Sequence, residues 1–211
     1  MSMDVISSYF STLTARQLEQ LELLEALYKS WNAKINVISR KDIDQLYERH
    51  VLHSLTIAKW IQFKPGTKIL DVGCGGGFPG IPLAIMFPNV EFHLVDSVKK
   101  KLTVVNDISH HLQLNNIRTS HSRMEDLKDQ ADFIVNRAVA SLSKLLSWSH
   151  KLISDRQINT VPNGLISLKG GDLQEEIAEI KSQYNYVEKI PVSNYFKEDF
   201  FEEKYLIYVQ K

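Results

Sequence analysis

The stretch Ile69-Leu70-Asp71-Val72-Gly73-Cys74-Gly75-Gly76-Gly77-Phe78-Pro79-Gly80-Ile81-Pro82-Leu83-Ala84 decides how the rest of the chain is read. An apolar run enters it, four glycines follow within five residues, and a second apolar run carrying a proline leaves it. That is the pattern of a buried strand passing through a tight loop into a helix. Glycine lets the loop take positive φ and lets a ligand reach backbone N–H groups with no Cβ in between. Pro82 suits the first turn of the helix, where a missing N–H costs nothing. No glycine precedes Gly66 and none lies between Gly80 and Gly164, so the concentration is local and points to a function for this loop.

Gly75-x-Gly77-x-x-Gly80 alone is a weak signal, and its surroundings strengthen it. A strand is expected before it and a helix after it. Asp96 closes the next strand candidate, Val90–Val95, at the spacing of a ribose-hydroxyl acceptor. Asp71, two residues before the first glycine, places a carboxylate where a pyrophosphate would arrive, which argues against a dinucleotide. A ligand with a cationic centre and a ribose but no phosphate fits better, and S-adenosylmethionine is such a ligand. A nicotinamide-dependent oxidoreductase stays open as the alternative, although no catalytic pair for it is recognisable.

At 211 residues, 44% hydrophobic and 24% charged, the composition is that of a soluble globular chain with one main core and room for a small appendage. The N-terminus has no basic region followed by an apolar core, and the longest apolar run, about seven residues near Ile81, is far too short for a span. No membrane partner is expected, and a cytoplasmic location is. Cys74 is the single cysteine, so no intramolecular disulfide can form; it reads as a small loop residue. His50 and His53 lie one helical turn apart but have no evident third ligand, so no metal is expected. Net charge is zero, with +3 over residues 1–157 and −3 over 158–211; an RNA partner would have to bind a local patch.

Residues 1–64 contain neither glycine nor proline and read as a helical appendage, followed from residue 65 to 211 by the main domain. Leu18, Leu21, Leu24, Leu27 or Tyr28, and Trp31 recur at helical spacing behind a capping box, Thr14-x-x-Gln17. Asp42-x-x-Gln45 offers a similar start to a second helix running toward Trp60. From Lys68 strands and helices alternate. Ser97 is expected to cap the helix that carries Lys99, Lys100 and Lys101, and Asp172-x-x-Glu175 to cap a later one. Cations at a helix N-terminus oppose its dipole, so either a solvated face or contact with an anionic polymer accounts for the lysines. Two closing strands, around Tyr186–Val192 and Lys204–Val209, have no convincing helix between them. Five alternating units closed by an antiparallel hairpin describe a Rossmann-like α/β fold of the class I S-adenosylmethionine-dependent methyltransferases: a seven-stranded, mostly parallel sheet with helices on both faces.

Several strings together resemble one family, and they cover the chain from about Trp31 to its end. They are Trp31-Asn32-x-x-x-Asn36, Arg49-His50-x-x-x-Ser54, Asp71-x-Gly73-x-Gly75-x-Gly77-x-Pro79-Gly80-x-Pro82-Leu83, Asp96-Ser97-x-x-Lys100-Lys101, Ser122-Arg123-x-Glu125, Arg137-Ala138 and Leu168-Lys169-Gly170. They are similar to the RsmG family, formerly glucose-inhibited division protein B. The resemblance implies methyl transfer to N7 of a guanine in bacterial 16S ribosomal RNA. His53 departs from the aspartate often found there, which puts any role of that aspartate in doubt.

By resemblance, Gly73, Phe78, Met124, Glu125 and Arg137 fall on cofactor-binding positions. Gly75 and Asp96 join them on the loop and strand-end argument. Arg137, ending the fourth strand at the carboxyl edge where such sheets bind ligands, is the candidate for a catalytic role, as a permanent cation or donor. For the RNA the candidates are Lys34, Asn36, Arg49, His50, Lys100, Lys101, Arg123 and Lys169. The fourth-strand exit, Asn136-Arg137-Ala138-Val139, lacks the Pro-Pro-Tyr string of exocyclic-amine methyltransferases and the Pro-Cys of cytosine C5 enzymes. A ring nitrogen with a free lone pair is therefore a sensible target, needing alignment more than a base. The partner expected is 16S ribosomal RNA or the 30S subunit, approached by a monomer. A non-catalytic RNA-binding factor that keeps the pocket stays open as well.

Overall fold

The computed structural model describes residues 3–211. Seven strands form one sheet: β1 Lys68–Val72, β2 Glu91–Asp96, β3 Ile117–His121, β4 Phe133–Arg137, β5 Gly164–Gly170, β6 Val187–Pro191 and β7 Lys204–Gln210. Their order is β3-β2-β1-β4-β5-β7-β6. The first five are parallel, and β7 runs antiparallel to both β5 and β6, as the missing last helix led us to expect. The fold is the class I methyltransferase fold anticipated above. From β1 the chain first builds outward through β2 and β3, then returns to lay β4 on the other flank of β1. Strand order reverses between β1 and β4, and a crevice opens beyond their carboxyl ends.

The central strands are buried on both faces, which is why Ile69-Leu70 and Phe133-Ile134-Val135 are apolar without alternation. Successive residues serve opposite cores. Ile69, Phe92 and Phe133 pack with α4 (Gly80–Met86), α5 (Lys99–His111) and the N-terminal helices α1 (Asp4–Tyr9), α2 (Ala15–Asn32) and α3 (His53–Trp60). Leu70, Val95 and Ile134 pack with α6 (Leu142–Ser149) and α7 (Gln174–Lys181) on the other side. The helices of residues 1–64 thus bury Leu21, Leu24, Val51 and Leu55 in the same cluster as the sheet.

The Thr14–Gln17 capping box is present, each side chain bonding the other's backbone N–H. Gln17 also donates to the carbonyls of Ile85 and Met86, and Gln20 to that of Leu112. The helix thereby satisfies carbonyls left open at the ends of α4 and α5. Three other capping expectations are corrected. Asp42 starts no continuous helix: a 3-10 turn at Ile43–Gln45 and a π-type turn at Tyr47–Leu52 precede α3, and the Asp42 carboxylate is taken by Ser39 and Arg49. Ser97 does not cap α5; the Asp96 carboxylate accepts the Val98 N–H instead, because it is already fixed at the strand end. Asp172 accepts from Gln174 N–H ahead of α7 and has no reciprocal bond from Glu175. Among the described residues no helix is long and apolar enough to cross a membrane.

Candidate cofactor and reaction cleft

A cleft of about 390 Å³ opens at the carboxyl ends of β1 and β4. Its floor is the glycine loop, which β1 delivers and α4 receives. Gly75 sits at φ +57°, and a Cβ there would meet nothing within 4 Å, so the space above it is free. Gly73 sits at φ +65°, and a Cβ there would lie 2.7 Å from a methyl of Val139. Tyr28 holds the loop from beneath: its hydroxyl donates to the Gly76 carbonyl at 2.7 Å and its ring stacks on Phe78 at 4.8 Å.

Asp96 closes one end of the cleft. One carboxylate oxygen accepts the Gly75 N–H at 2.9 Å and the other the Val98 N–H at 2.8 Å, while the Lys101 ammonium stands 3.7 Å away. Each oxygen keeps a second lone pair, so the group is pre-oriented to accept two vicinal hydroxyls. Val37, Val98 and Val139 line the same cleft and offer apolar contact for a flat ring. Val98 and Val139 are conspicuously exposed for valines, each more than 40%. These residues fit S-adenosylmethionine: an acceptor pair for the ribose, apolar walls for the adenine, and an open glycine loop between them.

Arg137 closes the other end. Its guanidinium lies over the Phe78 ring at 5.0 Å, donates to the Arg49 carbonyl at 3.2 Å and meets His50 Nδ1 at 2.8 Å. The π-type turn Tyr47–Leu52 presents both of those partners, and such turns recur at functional sites. Burial pulls the Arg137 pKa down to about 10, so it stays protonated at neutral pH. A guanidinium can only donate, so Nδ1 of His50 is the acceptor and the imidazole proton sits on Nε2. Burial, and then the Arg137 charge, push the His50 pKa down to about 3. Ala138, the next residue, has φ +52°, a conformation uncommon outside glycine, and together with Val139 it lines the cleft.

Asp71 is corrected. It does not face the ligand: it is fully buried beneath the loop, where one oxygen accepts the Gly80 N–H at 2.8 Å and the other has no partner. Burial raises its pKa to about 7, against the opposing pull of the Gly80 bond and Arg137. Its case against a pyrophosphate loses its geometric basis.

The cleft brings together Gly73, Gly75, Phe78, Asp96 and Arg137. Met124 and Glu125 lie in a 3-10 turn after β3 and do not line it; Met124 is buried and Glu125 exposed. Of the RNA candidates, Lys34, Asn36, Lys100 and Arg123 are exposed. Lys101 lines the cofactor cleft instead, and Arg49 is ion-paired to Asp42 at 2.6 Å. Lys169 is also corrected. It is buried, with its ammonium 2.7 Å from Glu176 and donating to the Ala140 carbonyl, so it ties β5 to α7 and offers RNA nothing. His53 is buried edge-on against Phe200 and Phe201 and shares no site with His50. Sequence reading missed Val37, Val98 and Val139; only the place of Val98 two residues after Asp96 could have flagged one of them.

Residues 17–200 match the profile of the GidB family, described as rRNA small subunit methyltransferase G. A protein of that name from Cytophaga hutchinsonii is 52% identical over 208 residues, covering 98% of this chain and 99% of the relative. One from Bacteroides thetaiotaomicron is 51% identical over 208 residues, covering 99% and 100%. Among solved structures, a SAM-dependent methyltransferase from Aquifex aeolicus superimposes with a TM-score of 0.57 at 17% identity, covering 82% of this chain and 98% of that one. A precorrin-6y C5,15-methyltransferase from Geobacter metallireducens gives 0.55 at 11% identity, covering 84% and 91%. At such identities the structural likeness speaks for the fold alone.

Proposed function

We propose, for a chain that belongs to the GidB family of rRNA small subunit methyltransferases, that it transfers a methyl group from S-adenosylmethionine to N7 of a guanine in 16S ribosomal RNA. The observation that carries this reading is the pairing of an acceptor cradle at Asp96 with an arginine, rather than a base, at the other end of one cleft. S-adenosylmethionine supplies an electrophilic methyl on a cationic sulfur. The protein residues around it offer little for removing a proton. Both oxygens of Asp96 already accept backbone N–H bonds, the Cys74 thiol is buried with its pKa pushed well up, and His50 accepts from Arg137. A nucleophile with a lone pair in hand, such as guanine N7, needs none of them as a base. Catalysis then rests on alignment and on excluding water from the methyl donor. Arg137, held by Phe78, Arg49 and His50, is the cation that would orient the base or its phosphate. Phe78 packs under it and covers the loop.

On this reading the enzyme works in the bacterial cytoplasm as a monomer, on 16S ribosomal RNA or the 30S subunit. The helices of residues 1–64 supply part of its RNA-facing edge, with Lys34, Asn36, Lys100 and Arg123 along it. The guanine has to be unpaired or turned out of its stack to reach the cleft. The test is transfer from labelled S-adenosylmethionine to small subunits from a strain lacking this enzyme, followed by nucleoside analysis for 7-methylguanosine. Label on another nucleoside would refute the N7 assignment. Subunit binding with no transfer would leave a non-catalytic RNA-binding factor, and a bound nicotinamide would reopen the oxidoreductase.

A further inference from the structure

Phe200 lies in the segment between β6 and β7, at the carboxyl edge of the sheet and half-buried. Two cations share its ring: the Arg49 guanidinium at 5.5 Å and the Lys204 ammonium at 5.0 Å from the centroid. His53 packs edge-on against the same ring at 5.8 Å and fixes its orientation from the core side. Lys204 pairs with Gly170 across the β5–β7 ladder, and its side chain occupies the space a Cβ on Gly170 would need. The glycine therefore lets the lysine lie across the strand end toward Phe200.

This cluster is continuous with the cleft. Arg137, which lies over Phe78, donates to the carbonyl of Arg49, and the Arg49 side chain runs on to Phe200. Neither ring-bound cation is fully used. No carboxylate lies within ion-pair distance of Lys204 among the described residues, and the buried Nε of Arg49 has no hydrogen-bond partner. Of the nearby acids, Asp42 takes Arg49 Nη1 and Ser39, and Glu198 accepts from Tyr9, while exposed Asp199, Glu202 and Glu203 in the same segment pair with neither cation. A ring alone would not require two cations on it, and folding gains little by gathering them; an anion arriving between them would.

We propose that Phe200, Arg49 and Lys204 form a seat for a phosphodiester of the RNA strand beside the reaction cleft. Phe200 is the positioning residue that holds the two cations, and Arg49 and Lys204 donate to the phosphate oxygens. The proposal rests on the reading of this protein as an RNA methyltransferase, and it assigns the strand a path from the cleft over Arg137 to the β5–β7 edge.

The test measures binding of 30S subunits, from a strain lacking the enzyme, at several potassium chloride concentrations, alongside S-adenosylmethionine affinity and single-turnover transfer. Lys204→Gln and Phe200→Leu should each weaken subunit binding on the order of tenfold at low salt and lower the salt slope by about one ion. Cofactor affinity and the transfer rate at saturating RNA should not move. Phe200→Tyr should keep the wild-type slope, and the Phe200→Leu, Lys204→Gln double variant should be little worse than Phe200→Leu. Lys181→Gln, on α7, should behave as wild type. An unchanged slope and affinity in Lys204→Gln would overturn the seat, and that surface variant decides the matter even where Phe200→Leu folds poorly. Wild-type protein that binds subunits but transfers no methyl would sink the enzymatic reading and leave the seat judged by the slopes alone. Wild-type protein that binds no subunits would overturn both.

Discussion

Nη2 of Arg137 lies 2.8 Å from Nδ1 of His50, and that contact turns a plausible general base into a hydrogen-bond acceptor for a permanent cation. The sign of the effect is clear. A histidine whose pKa is held down near 3 by burial and a neighbouring guanidinium is neutral throughout the working range and does not titrate there.

His50→Asn keeps a side-chain acceptor but removes any titrating group. We expect it to lower single-turnover transfer through misplaced Arg137 while leaving the shape of the rate profile between about pH 6 and 8.5 as in wild type. A limb of unit slope seen in wild type and lost in His50→Asn would show a base at work. The same comparison applies to His53 and Glu125.

Asp96 offers a second test. Asp96→Ala removes the two carboxylate acceptors that our reading assigns to the ribose, so S-adenosylmethionine affinity measured by calorimetry should fall by about 1.5–3 kcal/mol. The variant should also melt earlier, because the N–H groups of Gly75 and Val98 lose their partner. Gly73→Val acts differently: a Cβ at φ +65° is strained and collides with Val139, so stability and affinity should fall together.

Lys100 and Lys101 should separate. Lys101 faces Asp96 across 3.7 Å and is over one-third exposed, so Lys101→Ala should weaken cofactor binding by only about 0.2–1 kcal/mol. Lys100→Glu should leave cofactor affinity alone and reduce RNA association with a changed salt slope. Equal effects of the two on cofactor affinity would contradict the geometry.

Lys169→Met removes a buried ammonium and leaves Glu176, about one-third exposed, with only the Leu142 N–H as a partner. Thermal or urea unfolding should register a loss of about 1–3 kcal/mol. The salt dependence of RNA binding should stay as in wild type, since the ammonium is not available to a phosphate.

Asp71 sets a pH dependence of stability. Its pKa in the fold, about 7, lies above that of the unfolded chain, so the folded state binds the extra proton. Its contribution is fully present below the unfolded carboxylate range and is lost as pH rises through about 7. His50 works the other way: with its pKa depressed, stability is lost as pH falls from about 6.5 toward 3. Melting temperature should therefore peak on the acid side of neutrality. Asp71→Asn should flatten the fall between about pH 6 and 8, and an unaltered slope would show that Asp71 is ionised throughout.

What the sequence determined by itself is whatever neighbouring residues enforce locally. Gly73 to Gly80 dictate a loop that needs positive φ, Thr14 and Gln17 close a capping box within one turn, and the apolar runs of β1 and β4 can only be buried strands. The strand–helix alternation and the missing final helix then fix the sheet and its antiparallel end. The place of Asp96 at the cleft was legible because it ends a strand at the carboxyl edge of the sheet. The tertiary structure decided the rest, because it turns on which side chains meet across long stretches of chain. Nothing local distinguishes Lys101, which turns toward Asp96, from exposed Lys100, or marks Lys169 as the partner of Glu176. Asp71 reads as a ligand-facing carboxylate until packing seals it under Gly80. His50 and Arg137 are 87 residues apart, and only the docking of the π-type turn on the end of β4 makes one the acceptor of the other. Hydrogen bonds and ion pairs between distant segments depend on where the hydrophobic core places those segments, and that placement is a property of the whole fold.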